Sequence, residues 1–351
     1  MEMSTFVMWV GFMLASFSVV GNDVIQTLGT FLTSNEKKLK WYVLYAFAAT
    51  IMVAALVNGY MQSDIHYGRL DKYLPELTVD LYKWYYLIPP FVLLFITRIG
   101  IPVSTTFMIL TLFSLNKVPN DIGSLIASIF DSSTKMGGMI NKSLLGYLVA
   151  FASAIAIYLA ISKLTEKKFK ENPIKAENYK FWAVAQWLTT GFLWFQWLTQ
   201  DLANIYVYLQ GGQNMSPLQF LFSLIILLGL LALIFYRRGG NVQEVVRRKY
   251  NTADIRSATF IDLIYAIILY VFKYDSLFGL EYQFPWTGNL PMSTTWVFIG
   301  LLAGREIGIR LITDKGLKKE TLREVLSDLG KVSLGLIVSV VLVIIIKLLS
   351  T

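Results

Sequence analysis

Residues 41–61, 142–162 and 217–235 form apolar runs of a length that has one common solvent, the interior of a lipid bilayer. A helix crosses the hydrocarbon core in roughly 20 residues, and a fourth run, 332–346, reaches that length with its flanks. Only 15% of the chain is charged, against about a quarter in soluble domains. Within hydrocarbon every backbone polar group needs an internal partner, which favours helices. The expected fold class is therefore an all-α polytopic membrane protein, integral and multi-pass, of a cell or inner membrane. The first residues, "MEMSTFVMWVGFML", lack a basic leader and read as a retained helix. With no cysteine in the sequence, a disulfide framework, a thiolate metal site and a catalytic thiol are all excluded.

Polar motifs recur inside this apolar background. "PVSTT" at 102–106 and "PMSTT" at 291–295 place Ser104 and Ser293 189 positions apart. Lys142 and Lys331 each follow their serine by 38 residues, and Gly146 and Gly335 keep the same register. Upstream, "GNDVIQTLGT" (21–30) matches "TQDLANIYVYL" (199–209), pairing Asp23 with Asp201 and Gln26 with Asn204. An ordered series at nearly constant spacing is an internal repeat. The expected units are 1–163 and 180–351, joined by a linker at 164–179.

Charge gives the two copies opposite orientation. Segments 34–41, 163–180, 236–256 and 303–331 hold 22 Lys and Arg, whereas 62–83, 117–142, 210–216 and 273–290 hold 7. By the positive-inside rule the first set is cytoplasmic. Both termini are then outside, and each copy crosses an odd number of times. Three spanning helices per copy are expected, at 4–33, 41–61 and 142–163, then 180–209, 216–236 and 330–349. Between the second and third of each copy, the proline-marked Ser-Thr-Thr segments are expected as re-entrant helical hairpins, giving two inverted-topology repeats.

Pro102 and Pro291 suit the start of a returning half-helix. The Ser104, Thr105, Thr106 and Ser293, Thr294, Thr295 triplets would then stand at helix N-termini at membrane depth. There the free N–H groups attract an anion, and the hydroxyls add donors without charge. Serine and threonine also cap helices generally; two copies after proline favour a site. Asp23 and Asp201 lie in apolar segments, where a carboxylate by default marks an ion path or binding site. Asn22 and Gln26 flank the first, and Gln200 and Asn204 the second. Carboxylate, amide and hydroxyl oxygens are hard ligands suited to an alkali cation, with no soft donor beside them; no metal site beyond that cation is expected. A carboxylate beside an anion is repulsive unless a cation or proton intervenes. Asp plus cation beside hydroxyl plus helix end describes a cation-coupled anion carrier.

These motifs resemble the paired Gly-Ala-Asn-Asp-Val-Ala-Asn and Pro-Val-Ser-Thr-Thr-His signatures of the inorganic phosphate transporter (PiT) family. The resemblance runs from about residue 15 to the C-terminus. It implies inverted repeats with re-entrant hairpins, and sodium- or proton-coupled symport of inorganic phosphate, with the ion and no cofactor as the requirement. By motif, Asp23, Asp201, Gln26, Asn204 and the two triplets would surround the anion and its cations. The sequence departs from the pattern at Gly21, Gln26 and Gln200, and Phe107 and Trp296 stand where the family has histidines.

Arg98, six residues before Ser104, has no basic counterpart in the second copy and is a further candidate for substrate contact. His66, the only histidine, reads as a solvated loop residue, the aromatics at 82–86 and 282–286 as interfacial anchors, and 237–256 as a basic cytoplasmic surface. The net charge of +8 follows from cytoplasmic loops and implies no nucleic-acid partner. The expected partners are phosphate or a similar small anion such as sulfate, a sodium ion in preference to a proton, and the bilayer; homo-oligomerisation stays open. A membrane phosphatase acting on lipid phosphates is the competing class. It would need a nucleophile, an acid–base pair and clustered arginines near the motifs, so the chain is not expected to be an enzyme.

Overall fold

The computed structural model describes residues 3–36, 38–99, 103–119, 121–162, 174, 176–238, 255–274, 276–277, 280–281, 290–313 and 319–349. These form α1 (Met3–Asn35), α2 (Trp41–Met61), α3 (Ile88–Ile99), α4 (Thr105–Ser114), α5 (Ile122–Phe130) and α6 (Lys135–Ser162). After the linker come α7 (Ala176–Tyr206), α8 (Pro217–Tyr236), α9 (Ile255–Val271), α10 (Thr294–Thr313) and α11 (Lys319–Leu349). A two-residue antiparallel pair, Ser276–Leu277 with Leu280–Glu281, is the only sheet among the described residues. The fold is thus all-helical in its working parts, as the apolar runs require.

Among the described residues, five stretches are long and apolar enough to cross a membrane: Met3–Val24, Trp41–Met61, Gly123–Ala160, Pro217–Tyr236 and Lys319–Leu348. The expected sixth, 180–209, falls mostly on α7, which ends at Tyr206, a helix of 31 residues whose apolar character is diluted by buried Gln186, Gln196, Gln200, Asp201 and Asn204. In α2 the buried residues Leu44, Ala48, Met52, Ala55, Leu56 and Gly59 recur at helical spacing on one face. Lipid-side positions such as Phe91, Phe95, Leu188 and Leu218 are exposed apolar residues. α8 begins with a capping box: Gln219 N donates to Ser216 Oγ (3.3 Å), Ser216 N donates to Gln219 Oε1 (2.9 Å), and Pro217 occupies the first turn.

The Ser-Thr-Thr segments begin helices of unequal length. α3 and α4 have 12 and 10 residues, each too short to span. Their counterparts α9 and α10 have 17 and 20. α10 runs on because Gly300, Gly304 and Gly308, four residues apart, let its backbone lie on α6. A Cβ at Gly300 would stand 2.4 Å from Tyr147 O, and one at Gly304 2.2 Å from Phe151 O. The paired glycines of the repeat do similar work: Gly146 of α6 seats Met292 and Val297, and Gly335 of α11 seats Val103. α6 therefore packs on the second Ser-Thr-Thr helix, and α11 on the first.

Segment 62–83 is not a solvated loop. Ile65, His66, Arg69, Leu70 and Tyr73 are buried, and Leu70 N donates to His66 Nδ1 at 3.2 Å. His66 is thus a core residue, its imidazole held below its ordinary range by burial, against the opposing pull of Asp64 and Asp71. Of the aromatics at 82–86, Tyr82 and Tyr86 are buried and only Trp84 is largely exposed; Tyr208 Oη donates to Tyr86 O at 2.9 Å. The anchors at 282–286 and Pro102 lie outside the described residues, as do most of the linker and most of 237–256, whose last residue, Arg256, is buried.

Candidate functional site

Asp23 and Asp201 meet at the centre of the bundle because α1 and α7 pack together and both contact α4. Both carboxylates are 0% exposed. Thr105 Oγ1 donates to Asp23 Oδ2 at 2.7 Å, and Thr294 Oγ1 to Asp201 Oδ2 at 2.6 Å. Asn22 Nδ2 donates to Asp23 Oδ1 at 2.7 Å, with Gln26 Nε2 at 3.2 Å. Asn204 Nδ2 donates to Asp201 Oδ1 at 2.7 Å, with Thr106 Oγ1 at 3.3 Å. A buried carboxylate tolerates burial only with such charge-assisted bonds.

Contacts between the halves obey the offset of the repeat. Gln26 Nε2 donates across to Thr295 Oγ1 at 3.4 Å; Asn204 Nδ2 donates across to Thr106 Oγ1 at 3.2 Å. Thr106 Oγ1 donates to Met292 O and Thr295 Oγ1 to Val103 O, both at 3.4 Å. Phe107 and Trp296, which stand in the histidine positions of the motif, meet edge to face at 5.9 Å between centroids. The two helix starts thus face each other, with an aromatic pair behind them.

The serines and threonines divide their roles. Ser104 Oγ accepts from Phe107 N (3.1 Å) and Ser293 Oγ from Trp296 N (3.3 Å), so both are N-caps. The helices start at Thr105 and Thr294, which leaves Pro291 two residues before its cap and outside the first turn. The threonines turn to the carboxylates. Two amide oxygens in the cluster, Gln26 Oε1 and Asn204 Oδ1, are buried with no hydrogen-bond donor among the described residues, as is Gln200 Oε1 of the residue before Asp201. Gln200 directs its nitrogen away, to Leu269 O at 3.0 Å. Arg98 is exposed in the last turn of α3, and no bond joins it to these residues among those described.

Three charged residues near the site, Asp262, Arg69 and Lys273, escaped the motif analysis, and a fourth, Lys142, entered it only as a marker of the repeat. Asp262 of α9 is 1% exposed and accepts from Thr30 Oγ1 (2.7 Å) and Thr190 Oγ1 (2.6 Å). It stands alone in the apolar run "IDLIYAIIL", the signal that singled out Asp23 and Asp201. Arg69, Lys142 and Lys273 approach from loops and a helix start; their nearness is tertiary and leaves no local pattern in the sequence.

No protein-family model matches the chain, and no curated protein matches it by sequence. Among solved structures, one titled "The sodium-dependent phosphate transporter" aligns over 99% of this chain and 97% of its own, with a TM-score of 0.55 and 17% identity. Across its whole length the chain is thus similar in fold to that transporter, in keeping with the resemblance its paired motifs carry.

Proposed function

We propose that the protein is a secondary active carrier that moves inorganic phosphate across the membrane in symport with a cation, sodium in preference to a proton. One observation carries this reading: two fully buried carboxylates, each bonded by a threonine of its own half, are also bonded by Gln26 and Asn204, whose amide oxygens are buried without a partner. An amide oxygen buried without a donor costs free energy unless it has a ligand. Carboxylate and amide oxygens together form a hard donor set that suits an alkali cation. A cation on Asp23 or Asp201 competes for the carboxylate oxygen that now accepts the threonine proton. Thr105, Thr106, Thr294 and Thr295 can then turn their hydroxyls toward an anion at the facing helix starts. Cation binding thereby creates the anion site, which is coupling in structural form. The likeness of fold to a sodium-dependent phosphate transporter agrees with phosphate as cargo.

The test is uptake of labelled phosphate into liposomes holding the purified protein, with and without a sodium gradient and with excess sulfate. Sodium-driven uptake that sulfate leaves intact is expected, with Asp23→Asn and Asp201→Asn each abolishing it while remaining folded. Undiminished sodium dependence in both variants would refute the cation role. Uptake blocked by sulfate would make the cargo a broader class of oxyanion.

A further inference from the structure

A second set of buried polar groups lies where α1 ends and α7 and α9 begin, beside the segments that charge assigns to the cytoplasm. Asp262 of α9 links the other two helices. One of its carboxylate oxygens accepts from Thr30 Oγ1 of α1 at 2.7 Å, the other from Thr190 Oγ1 of α7 at 2.6 Å. One turn nearer the cytoplasm, Ser34 Oγ donates to Thr30 O at 2.9 Å and accepts from Gln186 Nε2 at 2.5 Å. Asn35 Nδ2 donates to Gln186 Oε1 at 3.0 Å. The two layers are stacked, since Ser34 follows Thr30 by four residues and Gln186 precedes Thr190 by four. The same helix faces lead to the central site. On α1 the steps from Asp23 through Thr27 and Thr30 to Ser34 are 4, 3 and 4 residues; on α7 those from Asp201 through Trp197, Trp194 and Thr190 to Gln186 are 4, 3, 4 and 4.

Toward the exterior the seam between α1 and α7 is different in kind. Phe12 and Tyr206 meet edge to face at 5.5 Å, and Tyr208 Cδ1 stands 2.3 Å from where a Cβ on Gly11 would be. An apolar seam parts only by exposing its rings to water. The hydroxyls, amides and carboxylate of the inner seam instead exchange their bonds for bonds to water, so parting costs little net free energy. Such a seam holds helices together while dry and admits water when they separate. We propose that Asp262, Thr30 and Thr190, with Ser34, Asn35 and Gln186 beneath them, form the latch of an inner gate, which closes the route between the central site and the cytoplasm and parts to release cargo there. Asp262 is a positioning residue in this device: it holds α9 against α1 and α7, and among the described residues its bonds run to the two threonines and not to the central cluster. The release step rests on the carrier reading; the seal does not.

The cysteine-free sequence allows a single reporter thiol. Thr27 is 0% exposed, lies between Asp23 and the latch, and donates its hydroxyl to carbonyls of its own helix. Full-length protein carrying Thr27→Cys is placed in inside-out membrane vesicles free of sodium and phosphate, and its reaction with a membrane-impermeant cationic methanethiosulfonate is timed from the cytoplasmic face. Slow reaction is expected, accelerated about tenfold, a change of about 1.4 kcal/mol, when Asp262→Ala is added. It should stay slow with Asp262→Asn, whose amide accepts from one threonine and donates to the other. In right-side-out vesicles Asp262→Ala should bring no gain, which separates an opened gate from a loosened fold. An unchanged inner rate in Asp262→Ala, or an equal gain from both faces, overturns the proposal. Should Asp262→Ala fail to insert, Gln186→Ala, which breaks the second layer, decides in the same assay by the same outcomes. Release is read in proteoliposomes with Thr30→Cys and Thr190→Cys joined by a short bis-methanethiosulfonate. Complete bridging should halt phosphate uptake and reduction should restore it; uptake at the unbridged rate overturns the gate. Accelerated inner reaction in a protein whose wild type shows no uptake would refute the carrier reading and leave the seal standing; sodium-driven uptake without the acceleration would do the reverse.

Discussion

Within one triplet, neighbouring hydroxyls serve different masters. Ser104 closes a helix start through Phe107 N, while Thr105, one residue on, donates to Asp23. Helix geometry forces the division: the N-cap side chain folds back over the first turn, and the next residue's points outward. The same split recurs at Ser293 and Thr294. Ser104→Ala should therefore cost stability, about 0.5–2 kcal/mol, and keep sodium-dependent uptake. Thr105→Val, which keeps shape but strips a buried carboxylate of its donor, should also cost stability, since a bond to a charged group is worth roughly 1.5–3 kcal/mol, but it alone should alter the sodium dependence of uptake, by about tenfold or more. Thr105→Ser should recover it. Equal effects of the two removals on stability and on sodium dependence would show that the division of roles is wrong.

At the scale of elements, small residues decide which helices hold the site. α6 and α10 touch along Gly300, Gly304 and Gly308, and this contact fixes where Thr294 and Thr295 stand. Without a hydrophobic drive between helices in lipid, close backbone approach supplies the packing. Gly304→Val would place a side chain where Phe151 O is 2.2 Å away, and overpacking of this kind typically costs about 1–3 kcal/mol. A lowered thermal midpoint and reduced uptake are expected together. Gly330→Ala is the contrast: nothing lies within 4 Å of its Cβ position in α11, so a gain of about 0.5–1 kcal/mol is expected. A thermal melt of both variants in the same detergent checks the pair.

For the whole molecule, the open question that charge addresses is which face of the bundle is outside. The charge bias places 62–83 outside and the 164–179 linker inside. The absence of cysteine makes this directly measurable. In intact cells, Lys72→Cys should react with a membrane-impermeant maleimide, and Lys168→Cys should react only after permeabilisation. The opposite pattern would invert the orientation.

Much of this architecture was legible in the sequence because the bilayer leaves few options. Apolar length marked the long helices apart from α7, and repetition the pairing of Asp23 with Asp201 and of Gly146 with Gly335. The recurrent triplets marked the helix starts, since a proline and three hydroxyls have few other uses in hydrocarbon. Asp262 was equally legible, as a lone acid in an apolar run. What tertiary structure alone decided is which polar groups are neighbours. It brought Gln26 to Thr295 and Asn204 to Thr106 across the halves, folded segment 62–83 inward with His66 and Arg69, and left Arg98 exposed. The reason is physical: local spacing fixes which face of a helix a residue occupies, but a charge in a loop acquires its partners only when distant segments pack against it.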